Sequence, residues 1–196
     1  MDPRIRLLRH ALENRPARTV PRTHGLAESA VALVLRPAAE DLELLFIKRA
    51  EHEREPWSGH MALPGGRRNP ADPDLVATAL RETEEETAVA RRFTTFIGSL
   101  DEVAPGNPRL PRIVVAPFLV CVPPATPAKP ASHEVTATVW IPLAALREPG
   151  AVNELLVEFE GTSRPYPSLR YGEYVIWGLT YRILGQFFEV LESVGL

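Results

Sequence analysis

The chain has 196 residues, of which 45% are hydrophobic, and a net charge of −3 from 22 Lys and Arg against 25 Asp and Glu. This length is enough for one domain with a sizeable core, so we expect a single domain over residues 1–196, with residues 1–28 as an N-terminal helix and connector. The mildly acidic balance argues against partners such as nucleic acid polymers and acidic membrane surfaces, which favour basic proteins.

Two absences bear on where the protein resides. No apolar run reaches the length of a transmembrane helix, and the N-terminus lacks a hydrophobic signal region, so we expect a cytoplasmic protein away from membranes. The single cysteine, Cys121, excludes an internal disulfide and lies in an apolar run, where we expect a buried, inert thiol.

In chain order, the N-terminal part predicts one helix and three strands. An amphipathic pattern predicts a helix over residues 2–14, followed by a Pro- and Arg-rich connector over residues 15–25. The apolar positions of this helix are Ile5, Leu7, Leu8, Ala11 and Leu12. Continuous apolar runs then predict buried strands at residues 29–35 and 42–48, with a short strand at 61–63.

The C-terminal part predicts further strands and a closing helix. Strands are expected at residues 93–100, 112–122, 134–141, 155–160 and 168–171, with a helical turn at 142–147. The Pro-rich segment 123–132 is interpreted as a loop between strands, the alternative being a recognition segment for a Pro-binding partner. The helix is expected over residues 173–192, with Ile176, Leu179, Ile183, Phe187 and Val190 facing the core.

The most informative stretch is a glutamate-rich helix that follows Pro64, Gly65 and Gly66. We expect this helix to begin near Asp72, with Asp72 as N-cap and Pro73 at the first helical position.

Helical spacing separates the charged residues of this helix. At about 100° per residue, Glu82, Glu85 and Glu86 share one face, whereas Glu84 points toward solvent. Arg81 precedes Glu85 by one helical turn and is placed to pair with it. A neighbouring stripe suits the core and consists of Val76, Ala79, Leu80, Thr83 and Thr87.

Three carboxylates on one helix face repel one another, and a hard divalent cation with oxygen ligands would relieve that repulsion. Mg²⁺ typically takes one or two carboxylates, keeps several waters and takes its remaining ligands from substrate phosphates. The residues therefore indicate a metal–phosphate site. The alternative is a solvated helix face, against which the preceding Gly-Gly turn and the helix cap argue.

Residues 63–89 resemble the Nudix box, a loop–helix motif. Residues 81–89, Arg-Glu-Thr-Glu-Glu-Glu-Thr-Ala-Val, align with its second half, which reads Arg-Glu, an apolar residue, any residue, Glu-Glu, any residue, Gly and an apolar residue. The chain departs from the box in three places. Ala88 stands where the box has glycine, Thr83 stands where an aliphatic residue is usual, and the loop before Arg81 is one residue longer and lacks the early glutamate.

The longer loop is similar to that of the coenzyme A pyrophosphatase branch, which also reads LPGG or FPGG and then leads into a TALRE helix. Residues 170–173 (RYGE) and 176–178 (IWG) also resemble the end of those enzymes. That branch usually carries Leu-Arg-x-His-x-Gly before its Gly-Gly pair. Here residues 53–59 read Glu-Arg-Glu-Pro-Trp-Ser-Gly, so Trp57 replaces the histidine.

The resemblance implies an α/β/α sandwich with a mixed sheet and an enzyme that hydrolyses a pyrophosphate bond in a nucleoside diphosphate derivative. It implies Mg²⁺ or Mn²⁺ as cofactor, held by the Gly65 carbonyl and the three glutamates Glu82, Glu85 and Glu86. Arg81 would then orient Glu85.

The general base and the substrate contacts stay open at this stage. The resemblance implies that the base is either a box glutamate or a carboxylate from a later loop. For the later carboxylate the candidate is Glu134, because it begins the strand after the Pro-rich loop, with Asp101 and Glu102 as competitors. The alternative for each of these three residues is a solvated loop acid.

Arg49 and Arg67 are candidates for binding phosphate oxygens, or else they form surface salt bridges. Trp57 would stack on a nucleobase or cover the core, and His60 would be structural.

Coenzyme A or a derivative is the leading substrate expectation. Nucleotide sugars, dinucleoside polyphosphates and (d)NTPs are the other candidates. A different class of function is a nucleotide-sensing Nudix module without turnover, although such modules typically lose box glutamates and this chain keeps all three. The oligomeric state is left open, a homodimer included.

Overall fold

A computed structural model describes residues 1–51, 59–105, 112–159 and 162–196, and these residues build a central seven-stranded sheet. Its strands are β1 Ala27–Pro37, β2 Leu42–Arg49, β3 Met61–Ala62, β4 Gly65–Arg67, β5 Thr95–Ser99, β6 Ile113–Cys121 and β7 Val135–Pro142. The order is β3-β2-β1-β6-β5, with β4 paired to β1 and β7 paired to β2. The sheet is mixed because β1 and β6 run parallel while the other pairs are antiparallel.

Helices cover both faces of this sheet, which confirms the expected α/β/α sandwich. Helix α2, Leu75–Thr87, lies on one face, and α1, Pro3–Glu13, lies on the other together with α4, Gly178–Ser193. Alternate residues of β1 serve the two layers, since Ala30 and Ala32 pack in the α2 layer and Leu33 in the α1 and α4 layer. A strand buried on both faces reads as a continuous apolar run, which is why its position was predictable.

A second, three-stranded sheet follows the short helix α3, Leu143–Arg147, and consists of β8 Val152–Phe159, β9 Thr162–Tyr171 and β10 Tyr174–Trp177. The strands β8 and β9 are longer than expected, and β10 was not expected at all. The predicted closing helix was wrong at its start, because the chain turns at Gly172 with a φ of 57° and pairs β10 with β9 before α4 begins. Ile176 matched a helical spacing but is buried in a strand.

The N-terminal helix was predicted well, and the residue at which it begins has a clear local cause. Asp2 caps α1 by accepting a hydrogen bond from the Arg4 backbone N–H at 2.8 Å. Ile5, Leu8 and Leu12 are buried, but Leu7 is 47% exposed, so its assignment to the apolar face was wrong.

Three smaller points complete the fold. The strand expected at residues 93–100 begins only at Thr95, because a 3₁₀ turn occupies Arg91–Phe93. Cys121 is half-buried, and burial raises the pKa of its thiol to about 11. Among the helices that the structure describes, none has the length and apolar character needed to cross a membrane.

Candidate active site

The loop before α2 is fixed by the two glycines Gly65 and Gly66. Strand β4 lies against β1, and a Cβ atom on Gly65 would collide with the backbone of Ala30 and Val31. Gly65 also has a φ of 154°, which L side chains rarely adopt. A Cβ atom on Gly66 would collide with the carboxylate of Glu82. The Gly-Gly pair therefore lets the loop backbone approach the carboxylates of α2.

Helix α2 begins later than expected, and this correction changes the role of Asp72. The N-cap is Asp74, whose Oδ1 accepts a hydrogen bond from the Ala77 backbone N–H at 2.7 Å, and Leu75 is the first helical residue. Asp72 is instead buried in the preceding loop, where its Oδ2 accepts hydrogen bonds from the Asn69 backbone N–H and the Thr78 hydroxyl, each at 2.9 Å.

Arg81 joins this loop to the acidic face of the helix. Its guanidinium donates to Asp72 through Nε and Nη2, each at 3.0 Å, and through Nη1 to Glu82 at 2.9 Å and Glu85 at 3.0 Å. A further bond from Nη2 reaches the Arg67 carbonyl at 3.1 Å. The predicted pairing with Glu85 is confirmed, and Arg81 holds the pKa of Asp72 well below its usual range.

Sequence reasoning missed Asp72 as a site residue. It was assigned to the helix cap, and the early glutamate of the box was taken as absent. In the structure, an aspartate in the longer loop supplies the carboxylate that binds Arg81. An acidic residue within the loop, close to the place where the box expects a glutamate, was the signal available.

Glu86 is the most buried carboxylate of the acidic face. Its Oε2 accepts a hydrogen bond from the Gly65 backbone N–H at 2.8 Å. Burial raises the pKa of Glu86 to about 8, opposed by this hydrogen bond and the charge of Arg49, and supported by the charges of Glu82 and Glu134. The pKa of Glu82 is also raised, mainly by burial, while Arg81 counteracts the shift.

The other two glutamates of the helix are more open to solvent. The Glu85 side chain is 55% exposed and contacts Arg81. Glu84 lies off the acidic face and accepts a hydrogen bond from Arg91 Nε at 2.7 Å. The helical-wheel separation of Glu84 from the other three is therefore correct, although Glu84 forms an ion pair rather than standing alone in solvent.

The Pro-rich segment 123–132 leads from β6 to the C-terminal end of α2. The backbone N–H of Lys129 donates to the Thr87 carbonyl at 3.0 Å, and that of Ala131 donates to the Glu86 carbonyl at 3.1 Å. These bonds satisfy carbonyls that a helix end otherwise leaves unpaired. The next acidic residue, Glu134, is thereby brought close enough for its charge to raise the pKa of both Glu82 and Glu86.

Known proteins are similar to this chain in sequence and in architecture. The NUDIX domain profile matches residues 26–158. Nudix hydrolase NudL of Salmonella newport is 33% identical over 164 residues, which cover 83% of each chain. The chain belongs to the Nudix family.

Solved Nudix structures agree with the fold. A MutT/nudix family protein from Enterococcus faecalis superposes with a TM-score of 0.59 at 21% identity, covering 88% of this chain and 65% of that one. The Nudix hydrolase RenU from M. smegmatis gives a TM-score of 0.50 at 19% identity, covering 66% of this chain and 81% of that one. These matches support the fold, while the family follows from the sequence matches.

The competing candidates for a general base are engaged elsewhere in this Nudix domain. Asp101 forms ion pairs with Arg15 at 3.0 Å and with Arg18 at 3.4 Å. Both carboxylate oxygens of Glu102 accept hydrogen bonds from Arg22 at 2.6 Å. Both acids thus tie the connector to the loop after β5. Of the three candidates, Glu134 is the one whose charge acts on the box glutamates Glu82 and Glu86.

The remaining predicted site residues differ in how closely they approach the acidic face. Arg49 ends β2, and its charge lowers the pKa of both Glu86 and His60. The Arg67 side chain is exposed at the end of β4. His60 packs its ring on Trp177, with ring centroids 4.9 Å apart, and the structural role expected for it stays a prediction. Trp57 lies outside the described residues.

The donor set of this Nudix site suits a hard divalent cation. Over the described residues, no three acidic, His or Cys side chains already stand in a metal-binding arrangement. The reason is visible in the contacts, because Arg81 engages Glu82 and Glu85 while the Gly65 N–H engages Glu86. Burial is the main cause of the raised pKa of Glu86, and the charges of Glu82 and Glu134 add to it. A divalent cation bound by these carboxylates would favour their charged forms and so oppose the shift.

Proposed function

We propose that this Nudix hydrolase uses Glu82, Glu85 and Glu86, with the Gly65 carbonyl, to hold Mg²⁺ or Mn²⁺ while a pyrophosphate bond of a nucleoside diphosphate derivative is hydrolysed. The observation that carries the proposal is the surplus of carboxylates on one face of α2. Arg81 supplies one positive charge against the carboxylates of Asp72, Glu82 and Glu85, and Glu86 and Glu134 add to the excess.

Hydrolysis of a pyrophosphate requires charge neutralisation on adjacent phosphates and an activated water. The divalent cation supplies the neutralisation and stabilises the leaving phosphate. We assign the role of general base to Glu134. Its carboxylate lies outside α2, just before β7, and its charge acts on the box glutamate Glu82. Arg81, itself held by Asp72, orients Glu82 and Glu85 toward the substrate.

Coenzyme A or one of its derivatives is the substrate we propose first. The longer box loop, the TALRE sequence at residues 78–82 of α2 and the sequences RYGE and IWG at residues 170–178 support it. The longer loop also contains Asp72, which accepts a hydrogen bond from Arg81. Arg49 and Arg67 are proposed phosphate contacts, and Trp57 a proposed base contact. Nucleotide sugars, dinucleoside polyphosphates and (d)NTPs remain the competing substrates.

The test is a turnover assay of the full chain with Mg²⁺ and then Mn²⁺ against coenzyme A, ADP-ribose, UDP-sugars, diadenosine polyphosphates and (d)NTPs. Glu85→Gln is the variant, and Glu84→Gln is its matched control on the same helix, since Glu84 lies off the acidic face. We expect coenzyme A to be cleaved by the wild type and by Glu84→Gln, and Glu85→Gln to lose that activity.

Other outcomes separate the remaining alternatives. Turnover of another panel member alone would keep the hydrolase and change the substrate. Tight nucleotide binding without turnover of any panel member would support the sensing module instead.

A further inference from the structure

An aromatic cluster outside the acidic face connects the two sheets. It consists of His60 just before β3, Trp177 at the end of β10 and Tyr166 in β9. The ring centroids of His60 and Trp177 are 4.9 Å apart, and those of Tyr166 and Trp177 are 5.7 Å apart, both in edge-to-face geometry. The hydrolysis described above makes no use of these three side chains.

Two observations limit the distance between this aromatic cluster and the acidic face. The Arg49 backbone N–H donates to the His60 carbonyl at 3.0 Å, and the charge of Arg49 acts on both His60 and Glu86. His60 also precedes Gly65, the hydrogen-bond donor to Glu86, by only five residues. An extended chain of that length spans at most about 17 Å, which sets an upper limit on the distance between His60 and Gly65.

Tyr166 is the most exposed member of the cluster. Alternate residues of a strand share a face, so Arg164, Tyr166 and Ser168 follow one another on the same face of β9. Ser168 is fully buried opposite Trp177, whereas Arg164 is exposed. Tyr166, 40% exposed, stands at the boundary between them, with one side on Trp177 and the other open.

The cluster is chemically distinct from the phosphate site beside it. Burial lowers the pKa of His60, and the charge of Arg49 lowers it further, so the imidazole is neutral at neutral pH. An uncharged aromatic surface does not attract phosphate. It does attract a planar aromatic ring, through stacking that tolerates any base.

We propose that the His60–Trp177–Tyr166 cluster forms part of the subsite for the nucleobase of the ligand, with Tyr166 as a residue on which the base stacks. This inference rests on the proposed function, because it takes the phosphate end of the same ligand to lie against the acidic face of α2. Packing of the two sheets accounts for the partly buried rings of His60 and Trp177, but it does not require the exposed ring of Tyr166.

The test compares AMP with ribose 5-phosphate, which lacks the base, and neither ligand contains an anhydride that could be hydrolysed. Binding is measured by calorimetric titration in Mg²⁺ for the full-length wild type, Tyr166→Leu and Tyr166→Phe. Phe93→Leu is the matched control, because Phe93 is an exposed aromatic residue that follows α2 and has no part in the cluster. Melting curves check that each variant is folded.

Loss of a stacked base costs about 1–3 kcal/mol. We therefore expect Tyr166→Leu to weaken AMP binding about 5- to 150-fold and to leave ribose 5-phosphate binding unchanged. Tyr166→Phe and Phe93→Leu should bind both ligands as the wild type does. Equal AMP affinity of wild type and Tyr166→Leu, or an equal loss for both ligands, would overturn the subsite.

The substrate panel separates this inference from the proposed hydrolysis. AMP binding that depends on Tyr166, in a protein that cleaves no panel member, would keep the subsite and remove the hydrolase. Turnover together with AMP binding that ignores Tyr166 would do the reverse.

Discussion

Two arginine–carboxylate networks in this protein have opposite electrostatic character. The box network joins Arg81 to Asp72, Glu82 and Glu85, so one positive charge faces three negative ones. The connector network joins Arg22 and Arg68 to Glu28, and Arg22 also to Glu102, so its charges balance.

The pKa values of the glutamates shift in opposite directions in the two networks. In the connector network, arginine hydrogen bonds lower the pKa of Glu28 and Glu102. On the box helix, burial raises the pKa of Glu82 and Glu86. A balanced network stabilises its acids as anions and contributes to folding. A network with surplus buried carboxylates costs stability, and such a cost is typical of a site that binds a cation.

The largest effect that this contrast predicts is the loss of turnover on substitution of Glu86. Glu86→Gln should reduce turnover about 10²- to 10³-fold, because it removes a charged group that stabilises the transition state. The same variant should not lower the melting temperature of the metal-free protein. The amide oxygen can still accept the Gly65 N–H bond, and a neutral amide avoids the cost of burying or protonating a carboxylate. Steady-state kinetics and thermal melts measure the two effects, and full turnover in Glu86→Gln would contradict the assignment.

Substitution of Asp72 tests whether the box network depends on the hydrogen bonds between Arg81 and this loop carboxylate. Asp72→Asn should reduce turnover about 10- to 100-fold, because Arg81 loses its strongest partner and holds Glu82 and Glu85 less firmly. Asp74→Asn is the matched control, since asparagine also caps helices and Asp74 does not contact Arg81. Equal rates for both variants would show that Asp72 acts on folding alone.

In the connector network, substitution of Glu102 should have the opposite effect to that of Glu86: stability falls and turnover does not. Glu102→Gln should lower the free energy of unfolding by about 1–2 kcal/mol, through loss of charged hydrogen bonds to partly exposed Arg22. Turnover per folded molecule should stay unchanged, because Glu102 is tied to the connector. Urea unfolding and the substrate assay measure the two quantities, and a fall in kcat with unchanged stability would return Glu102 to the candidates for the base.

The free energy of unfolding should depend on pH more strongly in the wild type than in Glu102→Gln. The folded pKa values of Glu28 and Glu102 lie below their unfolded values, so the folded state binds fewer protons than the unfolded state as these groups titrate. Their contribution is therefore present above about pH 4.5 and is lost as the pH falls through the folded pKa values. Unfolding between pH 6 and 3 should show a shallower loss of stability in Glu102→Gln, and parallel curves would contradict the network.

The two networks also differ in what sequence could reveal. The spacing of Glu82, Glu85 and Glu86 and their pairing with Arg81 follow from helix geometry, which is local. The Arg22–Glu102 pair joins residues 80 positions apart, and no periodicity reports such a contact. Strand β10 was missed for a different reason. Its partner β9 is adjacent in the chain, and the hairpin turn at Gly172 outweighed a local helical pattern around Ile176.

Ala88 offers the smallest and most local test. It ends α2 with a φ of 57°, in the left-handed region, where the Nudix box has glycine and where a Cβ atom is unfavourable. Ala88→Gly should therefore raise the free energy of unfolding by about 0.5–1 kcal/mol despite the greater freedom of glycine in the unfolded chain. Ala90→Gly is the control, because Ala90 has a φ of −68° and gains nothing from glycine.

Urea unfolding of the two glycine variants measures this difference directly. Destabilisation by Ala88→Gly equal to that by Ala90→Gly would show that the helix end tolerates alanine without strain. The expected gain, with turnover unchanged, would show that this departure from the box costs only backbone conformation and leaves the carboxylates of the site in place.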